Sequence, residues 1–115
     1  MNKKTAEPIA LSGQTHELNA ELRQAMGCFS GKWKLEILWL LNQRTHRFNE
    51  LRRAVGKVTQ HTLSQQLQEL ERDGMIVRTA YPEIPPRVEY MISAKAKGLQ
   101  PVFSEIFTWA NSHRS

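Results

Sequence analysis

The amino-acid sequence predicts an α+β protein, mostly α-helical, with a winged helix-turn-helix architecture. Three features of the pattern support this fold class: a strongly apolar helix over residues 32–43, a pair of helices separated by a short turn over residues 49–73, and two strands joined by a proline-rich loop over residues 75–93. The 115 residues suit one domain with a modest core. We expect a flexible tail over residues 1–14 and the folded domain over residues 15–115.

The first two predicted helices differ in how much of their surface is apolar. Residues 16–29 have a narrow apolar stripe at helical spacing, and glycines close to residue 29 mark the end of that helix. Residues 32–43 are apolar around most of the helix circumference, from Trp33 to Leu41. A helix of that kind is normally buried by neighbours on several sides. We therefore expect it to be the central helix of the core.

The next segment has the features of a helix-turn-helix. Residues 45–48 can form a short strand, and residues 49–55 a short helix for which Gly56 is a plausible C-cap. Thr59 is a good N-cap for the following helix. The inward residues of that helix are Leu63, Leu67 and Leu70, and Gly74 ends it.

The last part of the chain predicts a hairpin and a helix. Residues 75–81 and 87–93 are the expected strands, and the loop between them holds too many prolines to pair. A final helix is expected from about Ala94 to Asn111. Pro101 should kink or restart it.

Four motifs occur along the chain in one order: Gly31-Lys32-Trp33, Arg47-Phe48-Asn49-Glu50-Leu51, Leu70-Glu71-Arg72-Asp73-Gly74 and Pro85-Pro86-Arg87-Val88-Glu89-Tyr90. Each motif alone is weakly specific, but together they resemble the HxlR-type winged-helix transcriptional regulators of bacteria and archaea. The resemblance runs from about Gly31 to Trp109. It implies binding to double-stranded DNA, a homodimer formed through the first and last helices, and repression as the default mode of regulation.

The distribution of charge is consistent with a nucleic-acid partner. The net charge is +5, and the whole excess lies in residues 31–58, which hold seven bases and two acids. A local basic surface suits a polyanion, although a solubilising surface is the alternative. The expected phosphate contacts are Arg44, Arg47, Arg52, Arg53 and Lys57.

The helix that begins at Thr59 is the candidate recognition helix. Its first two turns carry outward residues that are uncharged at neutral pH and can form hydrogen bonds, whereas its acids lie at the far end. Such side chains can read base edges in the major groove, and the alternative is a solvated polar face. The expected DNA contacts of this helix are Thr59, Gln60, His61, Thr62, Ser64, Gln65 and Gln66.

The hairpin is expected to form the wing. Arg78 and Arg87 are placed on its strands near the tip, where they could reach a phosphate or the minor groove. Arg87 could instead pair with Glu83 or Glu89. The sequence favours neither the DNA contact nor the ion pair for Arg87.

Two apolar helices bracket the domain, and the last one carries more apolar surface than a small core can cover on one side, so a helix-swapped or helix-packed homodimer is expected to bury it. The alternative is that both helices simply cap the monomer core. The expected interface residues are Leu18, Leu22, Met26, Phe103, Ile106, Phe107 and Trp109.

Cys28 is the single cysteine, which excludes an internal disulfide and fits a reducing cytoplasm. Many HxlR-type sequences carry a Cys-Pro pair near the start of the first helix, and in some members that cysteine senses oxidants or electrophiles. The matching positions here are Ala20 and Glu21. Cys28 is therefore interpreted as a small core residue.

Other function classes find little support in the sequence. Its four histidines are not spaced as metal ligands, and no nucleophile or phosphate-binding motif occurs, so we expect no enzyme, no metal and no cofactor. No apolar run approaches the roughly 20 residues of a membrane span, so no membrane partner is expected. A winged-helix module that binds another protein remains the alternative function. The sequence leaves a small-molecule effector open.

Overall fold

A computed structural model describes residues 15–113, with side chains from Asn19 onward. The predicted tail over residues 1–14 lies outside the described residues. The elements follow one another as α1 Thr15–Gly27, α2 Lys34–Gln43, β1 His46–Arg47, α3 Phe48–Val55, α4 Gln60–Arg72, β2 Ile76–Tyr81, β3 Arg87–Ile92, α5 Ala94–Lys97 and α6 Gln100–Ser112. This order confirms the winged helix-turn-helix.

The core lies where α2, α3 and α4 meet the sheet. The three leucines predicted to face inward from α4, at positions 63, 67 and 70, are all buried. They pack in one cluster with Ile37 and Leu38 of α2 and Leu51 of α3. The central position of α2 is confirmed, because its apolar residues are buried or half-buried around most of the helix.

The wing sheet has three antiparallel strands in the order β1-β3-β2. β2 and β3 form the hairpin, with Ile76 opposite Ile92 and Tyr81 opposite Arg87. The short strand β1 pairs with the outer side of β3, with His46 opposite Tyr90. The sheet thereby ties the chain before the helix-turn-helix to the wing that follows it.

Local signals place the ends of α4 as predicted. Thr59 is the N-cap, and its Oγ1 accepts a hydrogen bond from the backbone N–H of Thr62 at 3.1 Å. Gly74 follows the helix with φ of +74°, a backbone conformation that glycine adopts at no steric cost. Local signals in the sequence therefore fix both the start and the length of α4.

The C-terminal helix, expected over about residues 94–111 with a kink or restart at Pro101, is interrupted. It is two helices, α5 and α6, separated at Gly98 and Leu99. Ser93 caps α5 by accepting a hydrogen bond from the N–H of Ala96 at 3.1 Å. Pro101 lies in the first turn of α6, where its missing N–H would have no helical partner anyway, so the expected restart is confirmed.

Within residues 15–113, no helix combines the length and the apolar content that crossing a membrane requires.

Candidate nucleic-acid interface

Helix α4 presents a polar, uncharged face on the side away from its buried leucines. Gln60, His61 and Gln65 are exposed, and Thr62 and Ser64 are half-buried at its edges. In a helix-turn-helix the N-terminal part of the second helix contacts base edges. These side chains can donate to and accept from such edges, so the predicted chemistry of the face is present in the structure.

Gln66 does not lie on this face, which corrects the expectation that it points outward. The residue is half-buried, and its Oε1 is enclosed without a hydrogen-bond partner among the described residues. Gln66 is three residues after Leu63 and one before Leu67, so helical geometry turns it towards the core side. A Cβ atom on Gly31 would lie 3.2 Å from this Oε1, which shows how closely the turn before α2 approaches it.

Gln68 belongs to the polar face but was not predicted. It is exposed, and it lies three residues after Gln65 and seven after His61, which places all three on one side of the helix. The i, i+4, i+7 spacing of His61, Gln65 and Gln68 is visible in the sequence. The prediction covered only the first two turns of the helix and therefore missed Gln68.

The cations of α3 and the turn that follows are free to meet an anion. Arg52, Arg53 and Lys57 are exposed and make no ion pair within residues 15–113. Arg52 and Arg53 line a shallow depression together with Asn49 and Gly56. Their position on the helix before α4 matches the helix that crosses the DNA backbone in such folds.

Arg44 and Arg47 have structural contacts at the start of α3. The backbone N–H of Arg47 donates to Glu50 Oε1 at 2.9 Å, and the Arg44 guanidinium lies 3.4 Å from the same oxygen. The hydrogen bond from the backbone of Arg47 holds the pKa of Glu50 below its usual value; desolvation opposes this, and the contact with Arg44 adds to the lowering. Both guanidinium groups are exposed, and Arg44 shares its charge with Glu50.

In the wing, the structure favours the intramolecular interpretation of Arg87. Its guanidinium lies 2.9 Å from Glu83 and 3.4 Å from Glu89, and it stacks over Tyr81 at 4.0 Å from the ring centroid. The side chain is 27% exposed, so its charge is largely neutralised within the wing.

Arg78 does not lie near the wing tip as expected. It is opposite Tyr90 in the middle of the hairpin. There it borders a polar depression between the sheet and α4, together with Ser64 and Gln68. The side chain of Arg78 is exposed beside α4, where a cation can contact a phosphate.

Helices α1 and α6 both carry exposed apolar side chains. Leu22, Met26, Ile106, Phe107 and Trp109 are between 42% and 64% exposed. This agrees with the predicted exposure of these five interface residues. The side chain of Leu18 lies outside the described part of the chain.

Phe103 was assigned to the interface, and that assignment is wrong. It is 4% exposed and belongs to the monomer core, because α6 turns this residue towards α2. Phe107 of α6 also packs edge-to-face on Trp39 of α2, with 5.1 Å between the ring centroids. Val102, 43% exposed, lies on the apolar surface and was missed.

Cys28 lies just after the end of α1 and is half-buried against the core. Its thiol donates a weak hydrogen bond to the carbonyl oxygen of Gln24 at 3.7 Å. Ala20 and Glu21, the positions that match the Cys-Pro pair of many HxlR-type sequences, are exposed on α1. Among the described residues there is no group of three or more side chains suited to hold a metal ion.

A capped recognition helix with a polar outer face, a basic helix before it and a β-hairpin wing define a class: this is a DNA-binding transcriptional regulator of the winged helix-turn-helix type. Residues 28–115 match the model of the HxlR-like helix-turn-helix family, and the chain belongs to that family.

Relatives and solved structures are similar over most of their length. An HTH-type transcriptional regulator of Halalkalibacterium halodurans is 45% identical over 85 residues, which are 73% of this chain and 75% of that protein. The HTH-type transcriptional regulator YtfH of Escherichia coli is 35% identical over 106 residues, 88% of this chain and 84% of its own. The structure of the redox regulator HypR in its oxidised form superposes with a TM-score of 0.77 at 34% identity, over 83% of this chain and 98% of that one.

Proposed function

We propose that this regulator acts as a homodimeric repressor that places α4 of each protomer in the major groove of a pseudo-palindromic operator. Two-fold symmetry of the dimer requires two half-sites whose centres are roughly 34–36 Å, one helical turn, or a multiple of it, apart. Occupation of such a site next to a promoter blocks polymerase.

The observation that carries this proposal is the layout of the face around α4. Uncharged hydrogen-bonding residues lie in the middle, at His61, Gln65 and Gln68. Unpaired cations lie on the preceding helix α3, and Arg78 borders α4 beside Ser64 and Gln68. Exposed carboxamides and hydroxyls can read base edges, and cations on neighbouring elements can contact the phosphates.

Individual residues have distinct proposed roles. Gln65 reads a base edge, since a carboxamide can pair with adenine through two hydrogen bonds. Arg52 contacts a phosphate and carries no sequence information. The remaining contacts of α4 are proposed for Thr59, Gln60, His61, Thr62 and Ser64, and the remaining phosphate contacts for Arg47, Arg53, Lys57 and Arg78, with weaker contributions from the partly neutralised Arg44 and Arg87.

The homodimer is supported by the apolar surface of α1 and α6. Large patches of this kind on a monomer generally mark an interface. Its test is the oligomeric state measured by sedimentation. Leu22→Glu should be monomeric at a concentration where the parent is a dimer, whereas the neighbouring exposed Gln24→Glu should behave as the parent. A monomeric parent would refute the proposal.

The DNA-binding mode is tested by binding-site selection from genomic DNA, followed by gel shifts on the selected site and on random DNA of equal length. A two-fold symmetric selected site bound by one dimer is the expected result. Binding without any sequence preference, or no binding, would instead favour the alternative of a protein-interaction module. Transcription in vitro from a promoter that carries the site then decides between repression and activation.

We do not extend the redox role named for HypR to this chain. The positions matching the family's Cys-Pro pair hold Ala20 and Glu21, and Cys28 is half-buried with its thiol bonded to the backbone of α1. The proposed effector of this regulator is a small molecule that binds without reacting with a thiol.

A further inference from the structure

A buried ion pair joins the first residue of α2 to the recognition helix. Lys34 Nζ lies 2.6 Å from Oε1 of Glu69, and the two side chains are 5% and 29% exposed. The other ion pairs within residues 15–113 join residues six or fewer positions apart. The Lys34–Glu69 pair is thus a long-range contact between two helices.

Lys34 occupies a position that is unfavourable for a cation. The N-terminus of a helix carries a partial positive charge, so an ammonium group there is disfavoured. Burial adds a further cost of desolvation, which the contact with Glu69 opposes. An apolar residue would avoid both costs. A buried cation at a helix N-terminus goes against the usual preferences for stability, which points to another role for Lys34.

A second contact lies on the same flank of α4. Gly31 has φ of +111°, and a Cβ atom on it would lie 3.2 Å from Oε1 of Gln66. Gln66 precedes Glu69 by three residues, which places both on one side of the helix. Gly31 in the turn before α2 and Lys34 at the start of α2 therefore approach α4 at two positions about one helical turn apart.

The contacted flank adjoins the face that is proposed to read bases. At about 100° per residue, Glu69 lies roughly 40° around the helix axis from Gln65 and about 80° from His61. A roll of α4 by about 10° moves a side-chain tip some 5–6 Å from the axis by about 1 Å. Hydrogen bonds tolerate a spread of only about 0.5 Å in length, so a roll of this size disrupts base contacts.

Packing of the buried α4 leucines positions the helix, and a directional contact on its flank adds a further constraint on its roll. The hydrophobic effect is non-directional, whereas a charge-assisted hydrogen bond favours one geometry. The Lys34–Glu69 contact supplies such a geometry on one flank of the helix, close to the residues that must meet the bases.

We infer that Lys34 and Glu69 are positioning residues, whose ion pair fixes the roll of α4 and so sets sequence selectivity without touching DNA. This inference rests on the proposed function, since it assumes that α4 reads a specific site. It differs from a stabilising role in a measurable way. Removing both charges should leave the fold intact and reduce selectivity.

The test is Lys34→Met combined with Glu69→Met, which keeps the net charge and replaces the pair by apolar side chains. Such replacements of buried pairs are often neutral or stabilising, so the variant should melt at or above the temperature of the parent. Its affinity for random DNA should equal that of the parent, while its affinity for the selected site should fall at least tenfold. The inference would be overturned if the double variant bound the selected site as tightly as the parent does. An equal loss of affinity on the selected site and on random DNA would overturn it too.

Glu69→Gln keeps the test decisive if the double variant does not fold. The amide keeps one acceptor oxygen for Lys34 but weakens the bond, so a smaller loss confined to the selected site is expected. A loss shared equally by random DNA, or none, would overturn the inference.

The matched control is Arg72→Gln combined with Glu105→Gln, which removes one base and one acid from exposed positions on α4 and α6. It should leave the ratio of specific to random binding unchanged. The parent is measured first. A parent without sequence preference refutes the proposed function, whereas a selective parent with an equally selective double-methionine variant refutes the inference alone.

Discussion

Replacing Arg52 by Gln should change how strongly DNA binding depends on salt. The Arg52 side chain is exposed on α3, and within residues 15–113 it forms no ion pair. Its removal should therefore leave the free energy of unfolding within about 0.5 kcal/mol of the parent, as is usual for surface substitutions. Any effect on DNA binding then belongs to the interface.

The size of the effect follows from the number of phosphate contacts. A dimer with roughly 6–10 contacts should lose three to five decades of affinity between 50 and 200 mM salt. Each contact adds about 0.9 to the slope of log affinity against log salt concentration, and a dimer has two copies of Arg52, so the variant's slope should be shallower by about 1.8. Over the fourfold range of salt, about one decade of the parent's loss should disappear.

The assay is fluorescence anisotropy on the selected site and on random DNA at several salt concentrations. Arg52→Gln should weaken both complexes by the same factor, because a phosphate contact carries no sequence information. Arg72→Gln is the control: it removes an exposed cation from the C-terminal end of α4, about 18 Å along the helix from its N-terminus, and should leave the slope unchanged. An unchanged slope for Arg52→Gln would refute its assignment, and parental affinity flat across this range would refute the electrostatic contribution as a whole.

Four further outcomes follow from the same geometry. Gln65→Ala should cost about 1–3 kcal/mol on the selected site and relax base preference there, and an equal loss on random DNA would count against base reading. Thr59→Ala removes the cap of α4 and should lower the free energy of urea unfolding by about 1 kcal/mol, with Thr59→Ser retaining it. The pKa of Glu50 is lowered in the folded state. The ionised Glu50 carboxylate therefore stabilises the fold above its ordinary pKa of 4.5, and this contribution is lost as the pH falls through the lowered value. Glu50→Gln should melt at a lower temperature than the parent at neutral pH and at the same temperature in acid. Cys28→Ser should bind the site as the parent does, and diamide should leave parental binding unchanged; a covalent dimer on non-reducing gels that no longer binds DNA would show oxidant sensing instead.

The features predicted correctly from the sequence depend on local spacing. The leucine stripe of α4 is readable because residues three and four apart share a face in any α-helix. The caps at Thr59 and Gly56 are readable because each depends on its own backbone and the next few residues. Neither needs knowledge of what packs against the helix.

The errors concern residues whose environment is set by distant parts of the chain. Helical spacing turns Gln66 towards the core side, but the enclosure of its Oε1 beside Gly31 depends on a contact that no local rule predicts. Phe103 is buried because α6 packs on α2, whereas its spacing within α6 fits an outer surface equally well. The two interpretations of Arg87 were balanced until the hairpin register placed Tyr81 opposite it and Glu89 within reach.

Several bases of the segment 31–58 have partners within the protein. Its charge excess correctly indicates a polyanion partner, yet not every base in it can meet DNA. Lys34 is buried and forms an ion pair with Glu69, Arg44 lies beside Glu50, and the Lys32 ammonium lies over the ring of Trp33. A count of charges from the sequence therefore overestimates the cations that are free to meet a phosphate, because the fold pairs some of them within the protein.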